Sequence, residues 1–308
     1  MHKVVKYFNA EPIDWRGSSA DPTDTNGLPM RNTETNKAEY MPFDTFPLEG
    51  DELPEGKDGW IILMEEINSA PRAVIAACYK LILDRLVGNK KLHPKVKIIC
   101  LGNLITDGAI VNPIGTAMGS RLVHLVMGHC IKETRSYMAK ANFDPRIIAY
   151  AHFAEGEMYK FDPKTKEFTF ACIRTWSFVN QLIGEFNGMS AVQDLKAIRP
   201  AICGAVSEGV GTQFVAYCDV FHKLPVLKDL VNNPHNAPIP AGMDVLFALA
   251  TAIANNIDED NLTNWVIYVN RLPLEHKLLI IQMLFARNTE LALDQRTDVL
   301  LTQVQEWL

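Results

Sequence analysis

The strongest constraint on the fold is a short apolar run that ends in two acids. Residues 61–64 predict a buried strand, and Glu65 and Glu66 follow it directly. Adjacent carboxylates at the end of a buried strand are costly unless something uses their charge. Ligands of open α/β sheets bind at the carboxyl ends of the strands. The stretch therefore indicates either a site for magnesium and phosphate chemistry or, more simply, a strand that ends at the surface.

The first part of the chain, residues 1–128, has the alternation of a parallel α/β core. Residues 17–58 lose both the helix and the strand period, which predicts a long functional loop with a small hairpin. Around that loop the pattern predicts a helix tail and strand over Val4–Arg16, an amphipathic helix over Pro71–Leu86, and strands over Lys95–Leu101 and Leu122–Met127.

The second part, residues 129–308, is predicted to be entirely helical. Its periodicity gives helices over Thr134–Ala141, Arg146–Glu155, Thr175–Phe186, Val192–Ser207, Gly211–His222, Met243–Asn255, Leu262–Asn270, Leu274–Asn288 and Leu291–Trp307.

Composition narrows the class of protein. The 308 residues are 48% hydrophobic and 21% charged, as in folded soluble proteins. A net charge of −6 argues against a surface made for nucleic acid. The six cysteines form no CxxC pair, which favours free thiols in a reducing compartment. The start has no apolar signal region and no apolar stretch is long enough for a bilayer, so we expect a cytoplasmic protein without a membrane partner.

Three further polar residues stand where phosphate chemistry would use them. Asn103 follows the strand at 95–101, and an amide there can hold a water or contact a phosphate. Arg121 follows a Gly-Ser turn, and Arg174 opens a helix of the second part. Arginine suits the negative charge of a phosphoryl transition state. Each residue alone also fits a simpler role, as a turn residue or a surface charge.

Taken together, these segments resemble the MoxR-type AAA+ ATPases, especially their bacterial and phage branch. The resemblance covers most of the chain and implies a P-loop NTPase core followed by a helical lid and a C-terminal helical extension. The similar segments are the loop Asp21–Pro29, the Walker B strand and helix Gly59–Gly88, sensor 1 at Leu101–Asn103, the arginine-finger segment Gly119–His124, sensor 2 at Arg174–Phe178 and the helical extension Gly211–Pro240.

The resemblance implies a role for each of these residues. Glu65 would hold Mg²⁺ through water and bind nucleotide with it, Glu66 would be the general base, and Asn103 would position the water. Arg121 would act in trans on ATP bound by a neighbouring subunit of a ring, commonly a hexamer. Arg174 would contact nucleotide from the lid. The expected activity is ATP-driven remodelling of a protein substrate or adaptor.

The sequence departs from that family at the phosphate loop. A strand, Gly-x-x-x-x-Gly-Lys-Ser/Thr and a helix are needed to cradle phosphates. The nearest stretch, Gly50–Asp58, has one residue too many, is acidic and precedes a strand, so we predict a loop there. Glu65 also stands where the family has Asp. An N-terminally incomplete core would leave the sheet open near its centre, which predicts a rearranged sheet or a partner that completes it.

Three functions are consistent with these observations. In the first, the chain would be an AAA+ ATP hydrolase or its major fragment. A separate segment would supply the phosphate loop, and the lone chain would be inactive. Alternatively, it is an AAA+-derived interaction or scaffold protein that no longer binds ATP. A metal-dependent hydrolase using Glu65, Glu66 and a histidine is the weakest, because His124 and His129 lack the spacing of metal ligands.

Overall fold

A computed structural model describes residues 2–186 and 195–306 of the chain. The chain divides into two compact units, Met1–Val126 and Met127–Leu308. The first unit is mixed α/β and the second is helical. The elements of the first are α1 (His2–Tyr7), β1 (Glu11–Arg16), α2 (Pro22–Asn26), β2 (Leu28–Arg31), β3 (Ala38–Met41), β4 (Trp60–Glu65), α3 (Arg72–Tyr79), β5 (Leu86–Val87), β6 (Lys90–Lys91), β7 (Val96–Cys100) and α4 (Thr116–Gly119).

A parallel sheet of three strands organises the first unit, in the order β1-β4-β7. The predicted strands around residues 61–64 and 95–101 are both confirmed, as is the strand that leads into Arg16. β4 lies in the middle, and its residues 60–64 are all buried. This is why its sequence is continuously apolar rather than alternating, as is typical of strands covered on both faces.

The long segment between β1 and β4 has the hairpin that the sequence predicts. β2 and β3 pair antiparallel, with Leu28 opposite Met41. Ahead of them, α2 begins with a capping box. The carboxylate of Asp24 accepts the backbone N–H of Asp21, and the carboxylate of Asp21 accepts the backbone N–H of Thr23. Residues 50–58 are irregular, so the predicted loop there is also confirmed.

The helix predicted over residues 71–86 is shorter than expected. Its α-helical part is α3, and a π-helical turn, Lys80–Asp84, follows it. Arg85 then takes a left-handed conformation with φ of 60°, which ends the helix. Its guanidinium donates to the carbonyl oxygens of His93 and Val96, at 3.1 and 2.8 Å. These bonds hold the turn against the start of β7.

The prediction of a strand over Leu122–Met127 is wrong. These residues are irregular, and Val123, Leu125 and Met127 are 86–92% exposed. A strand needs a neighbour for its backbone hydrogen bonds. Among the described residues, no strand pairs with this segment. Its apolar sequence therefore predicts a strand that this chain does not form.

The second unit is a stack of helices. Its α-helices are α5 (Ile131–Lys140), α6 (Pro145–Phe153), α7 (Ile173–Phe186), α8 (Arg199–Val206), α9 (Glu208–Cys218), α10 (Leu227–Asn232), α11 (Met243–Asn256), α12 (Leu262–Val269), α13 (Leu274–Arg287), α14 (Thr289–Ala292) and α15 (Asp298–Val304).

Two long helices of the prediction are divided in the structure. The helix expected over 192–207 begins outside the described residues and continues as a 3₁₀ turn, after which α8 starts with Pro200 in its first turn. The helix expected over 291–307 is interrupted at Asp294, whose carboxylate accepts the N–H of Arg296 and starts a new turn. Trp307 lies outside the described residues. The short α10 was not predicted.

Large aromatic side chains fill the core of the helical unit. Tyr150, Trp176 and Phe214 are at most 1% exposed and pack against one another with ring centroids 5.2–5.8 Å apart. Nearby, Phe247 contacts both His152 and the fully buried His276. Within the described part of the chain, neither ring nitrogen of His276 has a hydrogen-bond partner. This core therefore holds imidazoles that must be neutral.

None of the helices in residues 2–186 and 195–306 combines the length and apolar character that a bilayer crossing requires.

The two core histidines should make the helical unit sensitive to acid. Burial, helped by Arg135, lowers the pKa of His152 from 6.5 to about 3, and burial lowers the pKa of His276. Below 6.5 the unfolded chain binds protons that the folded chain rejects, so the free energy of unfolding falls as the pH drops toward 3. We therefore expect urea unfolding to show a free energy of unfolding that falls with pH, by up to about 1.4 kcal/mol per pH unit from His152 and in the same direction from His276.

His276→Leu isolates this effect. It should lessen the loss of stability below pH 6.5, and at neutral pH it should keep or raise stability because it removes unpartnered buried nitrogens. The exposed His235→Leu is the matched control and should follow the parent chain. Equal acid sensitivity in the two variants would contradict the assignment.

Candidate functional site at the end of the central strand

The two acids lie where β4 leaves the sheet. Ile62 and Met64 pack into the larger apolar cluster of the unit, while Ile61 and Leu63 pack into the smaller one on the other face. Covered on both faces, the strand can carry charge only at its end. Glu65 is its last residue and is partly exposed.

The backbone turns sharply at Glu66. Its φ and ψ are 54° and 35°, a left-handed conformation that non-glycine residues seldom adopt, and a 3₁₀ turn over Ile67–Ser69 follows. Such a conformation costs about 1 kcal/mol or more and persists only where its surroundings impose it.

Glu65 is paired with an arginine that the sequence did not single out. Arg16 ends β1 and stands opposite Glu65 in the parallel register, and its Nη2 lies 3.2 Å from Oε2 of Glu65. The side chains are 60% and 34% exposed, so the pair adds little stability. It does place a cation on the acid proposed for magnesium. The available signal was the position of Arg16 at the end of a predicted parallel strand.

A buried amide fastens the loop after β7 to the turn after β4. Asn68 is 5% exposed. Its Nδ2 donates to the carbonyl oxygen of Asn103 at 2.7 Å, and its Oδ1 accepts the N–H of Asn103 at 3.1 Å. The backbone N–H of Asn112 donates to the carbonyl oxygen of Asn68 at 2.6 Å. The backbone of Asn103 is thereby fixed, while its side chain remains exposed at the carboxyl edge of the sheet.

Two glycines permit this close approach. A Cβ on Gly102 would lie 2.5 Å from Oδ1 of Asn68, and one on Gly17 would lie 3.0 Å from the carbonyl oxygen of Glu66. The first distance leaves no room for a side chain unless Asn68 moves, and the second would force the neighbouring backbone to shift. The ends of all three parallel strands are thus packed together by a glycine, an amide or an ion pair.

Arg121 lies beside a different part of the sheet. It follows α4, is exposed, and donates from Nη1 to the carbonyl oxygen of Ala117 at 2.6 Å. With Val96 and Ile98 it lines a groove along the first half of β7, whereas Glu65 and Glu66 lie at the carboxyl end of β4. Within the described residues, neither carboxylate has a hydrogen bond or ion pair with Arg121.

Arg174 belongs to the helical unit. It lies exposed in the first turn of α7, while Trp176 and Val179 on the other face of that helix are fully buried. Thr175 caps the helix by accepting the N–H of Cys172 at 2.9 Å. The helix predicted here is confirmed. The role of Arg174 in nucleotide binding is still a prediction.

The histidines near the first unit's end have other contacts. Nε2 of His124 lies 2.8 Å from the carbonyl oxygen of Gly119, and His129 stacks on Tyr159 with ring centroids 4.8 Å apart. Across residues 2–186 and 195–306, no cluster of three or more His, Cys, Asp or Glu could hold a metal ion.

These residues would supply only part of what a magnesium–ATP site requires. Glu65 and Glu66 offer two carboxylates, and magnesium would take its remaining oxygens from water and phosphates. The phosphates themselves have no cradle, because the 308 residues contain no Gly-x-x-x-x-Gly-Lys-Ser/Thr. The lone chain therefore does not fit magnesium–ATP.

Comparison with known proteins adds little. No protein-family model matches the chain, and no curated protein matches it. Among solved structures, the chain is similar to one described as a "putative ATPase" from Cytophaga hutchinsonii, with 13% sequence identity and a TM-score of 0.30 over 99% of this chain and 79% of that one. A likeness at that TM-score carries no argument about fold or function.

Asn68→Ala should loosen the candidate site. It removes two part-buried hydrogen bonds to the backbone of Asn103, so we expect the free energy of unfolding to fall by about 1–2 kcal/mol. Urea unfolding measures this. Asn89→Ala, an exposed asparagine of the same unit, should change stability by less than about 0.5 kcal/mol. Similar losses in both variants would show that the amide is not what holds the strand ends together.

Proposed function

We propose that this chain is an AAA+ ATPase of the MoxR-like type, or its major part, and that it acquires a phosphate loop from outside residues 1–308. In this proposal, ATP binding and hydrolysis drive remodelling of a protein partner. The observation that supports it is the pair Glu65 and Glu66 at the carboxyl end of the central parallel strand, beside the clamped loop of Asn103. That edge is where α/β sheets bind ligands.

Each residue has a stated role in this proposal. Glu66 is the general base, Glu65 is the acid associated with Mg²⁺ through water, and Asn103 positions water. Arg121 acts in trans on ATP of a neighbouring subunit in a ring, six-membered by analogy with the MoxR-like family. Its place away from the two carboxylates of its own chain is consistent with that. Arg174 contacts nucleotide from the helical lid.

A second candidate is an interaction or scaffold protein that retains this frame and does not bind ATP. The ion pair of Arg16 with Glu65 favours it, because that cation competes with magnesium for the carboxylate. The missing phosphate loop favours it as well. Under this proposal Glu65 has a structural role as the partner of Arg16.

A fusion that supplies the missing segment separates the two candidates. An apolar strand, Gly-x-x-x-x-Gly-Lys-Thr and a helix would be joined ahead of α1, and phosphate release from ATP with Mg²⁺ would be measured. We expect no turnover by the parent chain and measurable turnover by the fusion. Glu66→Gln in the fusion should reduce turnover by about 100-fold or more, since it removes the general base.

The matched control is Glu55→Gln, an exposed acid in the irregular loop ahead of β4, which should leave turnover unchanged. Calorimetric titration of the folded fusion with ATP and Mg²⁺ completes the test. Absence of both binding and turnover would reject the ATPase and leave the interaction protein.

A further inference from the structure

The outer edge of β1 is closed to further strand pairing. The N–H of Glu11 donates to the carbonyl oxygen of Gly59, so odd-numbered residues of β1 direct their backbone groups toward β4. The alternate residues Pro12, Asp14 and Arg16 direct theirs outward. Proline has no N–H to offer, and charged side chains disfavour pairing at an edge.

The outer edge of β7 is open. The N–H of Leu101 donates to the carbonyl oxygen of Met64, and the carbonyl oxygen of Lys95 accepts the N–H of Trp60. The odd-numbered residues of this strand therefore direct their backbone groups toward β4. Val96, Ile98 and Cys100 therefore direct their backbone groups away from the sheet. The N–H of Val96 donates to the carbonyl oxygen of His93, and its carbonyl oxygen accepts from Arg85, so both of its groups are already used. Within the described chain β7 is the last strand of the sheet, and no further strand pairs with Ile98 or Cys100. Ile98 and Cys100 thus present two N–H and two C=O groups for an added strand.

A basic groove runs along this open edge. It has a volume of about 450 Å³ and is lined by Val96 and Ile98 of β7 together with Ile82 and Leu122. All ionisable residues among the described lining are basic, namely Arg85, Lys97 and Arg121.

The half-buried Arg85 of the groove is held by carbonyl oxygens and not by a carboxylate. Burial lowers the pKa of Arg85, and its guanidinium bonds carbonyl oxygens, with no ion pair among the described residues. Beyond Leu122 the chain continues into Val123, Leu125 and Val126, whose side chains are 75–89% exposed. The edge thus combines unpaired backbone groups with the apolar and basic residues that line the groove.

We propose that the open edge of β7 binds an extended strand of a partner polypeptide, apolar at alternate positions and carrying carboxylates that meet Lys97 and Arg121. The partner's backbone would pair with Ile98 and Cys100, which is recognition by strand addition. A second copy of this chain fits less well, because two such edges would bring like charges together. The proposal does not depend on ATP hydrolysis; because the edge of β1 is closed, a phosphate-loop strand supplied from outside would pair at this same edge and would exclude the partner strand.

Fluorescence anisotropy with synthetic peptides tests this. The first probe alternates Val and Thr between glutamates, and the second has lysines in place of the glutamates. We expect the first to bind the parent chain at least about tenfold more tightly than the second. If neither peptide binds at concentrations up to about 1 mM, the proposal is overturned.

Two variants locate the binding. Ile98→Pro removes an outward N–H without removing a bond to β4 and should weaken binding at least about tenfold, while Ile98→Val keeps the N–H and should bind like the parent. Arg121→Glu is a surface change that should shift preference toward the lysine peptide, even if Ile98→Pro fails to fold. A folded Ile98→Pro that binds normally, or an unchanged charge preference in Arg121→Glu, would refute the proposal. So would a dimer in sedimentation that Ile98→Pro abolishes, because it assigns the edge to a second copy.

Discussion

The burial of β4 on both faces is the constraint from which the first unit follows. A strand with no solvent-facing side must be apolar along its length, and any charge it carries must come at its end. Glu65 and Glu66 are placed by that rule. Because parallel strands end at one edge, the rule also brings Arg16 and Asn103 to the same place. The candidate site is thus a consequence of how the sheet is covered.

The sequence predicted the parts of the fold that depend on local pattern. An uninterrupted apolar run predicted β4, and the loss of period over 17–58 predicted the loop with its hairpin. The failures concern contacts distant in sequence. Residues 122–127 have the composition of a strand, but strand formation depends on a neighbour that no local pattern reveals.

The same distinction applies to the site. The acids and Asn103 could be found because each follows a predicted strand directly. Arg16 could not be assigned to Glu65 without the register, since a shift of one residue would direct it to the other face. The clamp by Asn68 depends on two loops meeting, and nothing around residue 68 in the sequence specifies its partner 35 positions later. Roles for Arg121 and Arg174 rest on a resemblance and are still predictions.

Pro12 has a consequence for stoichiometry. A sheet that can be extended at both edges can recruit chains without limit, and growth of that kind leads to fibres. Here the outer edge of β1 carries Pro12, which has no N–H to donate, and the charged residues Asp14 and Arg16. The sheet can therefore be extended only on the side of β7. Any assembly formed through this sheet has a valency of one for each chain.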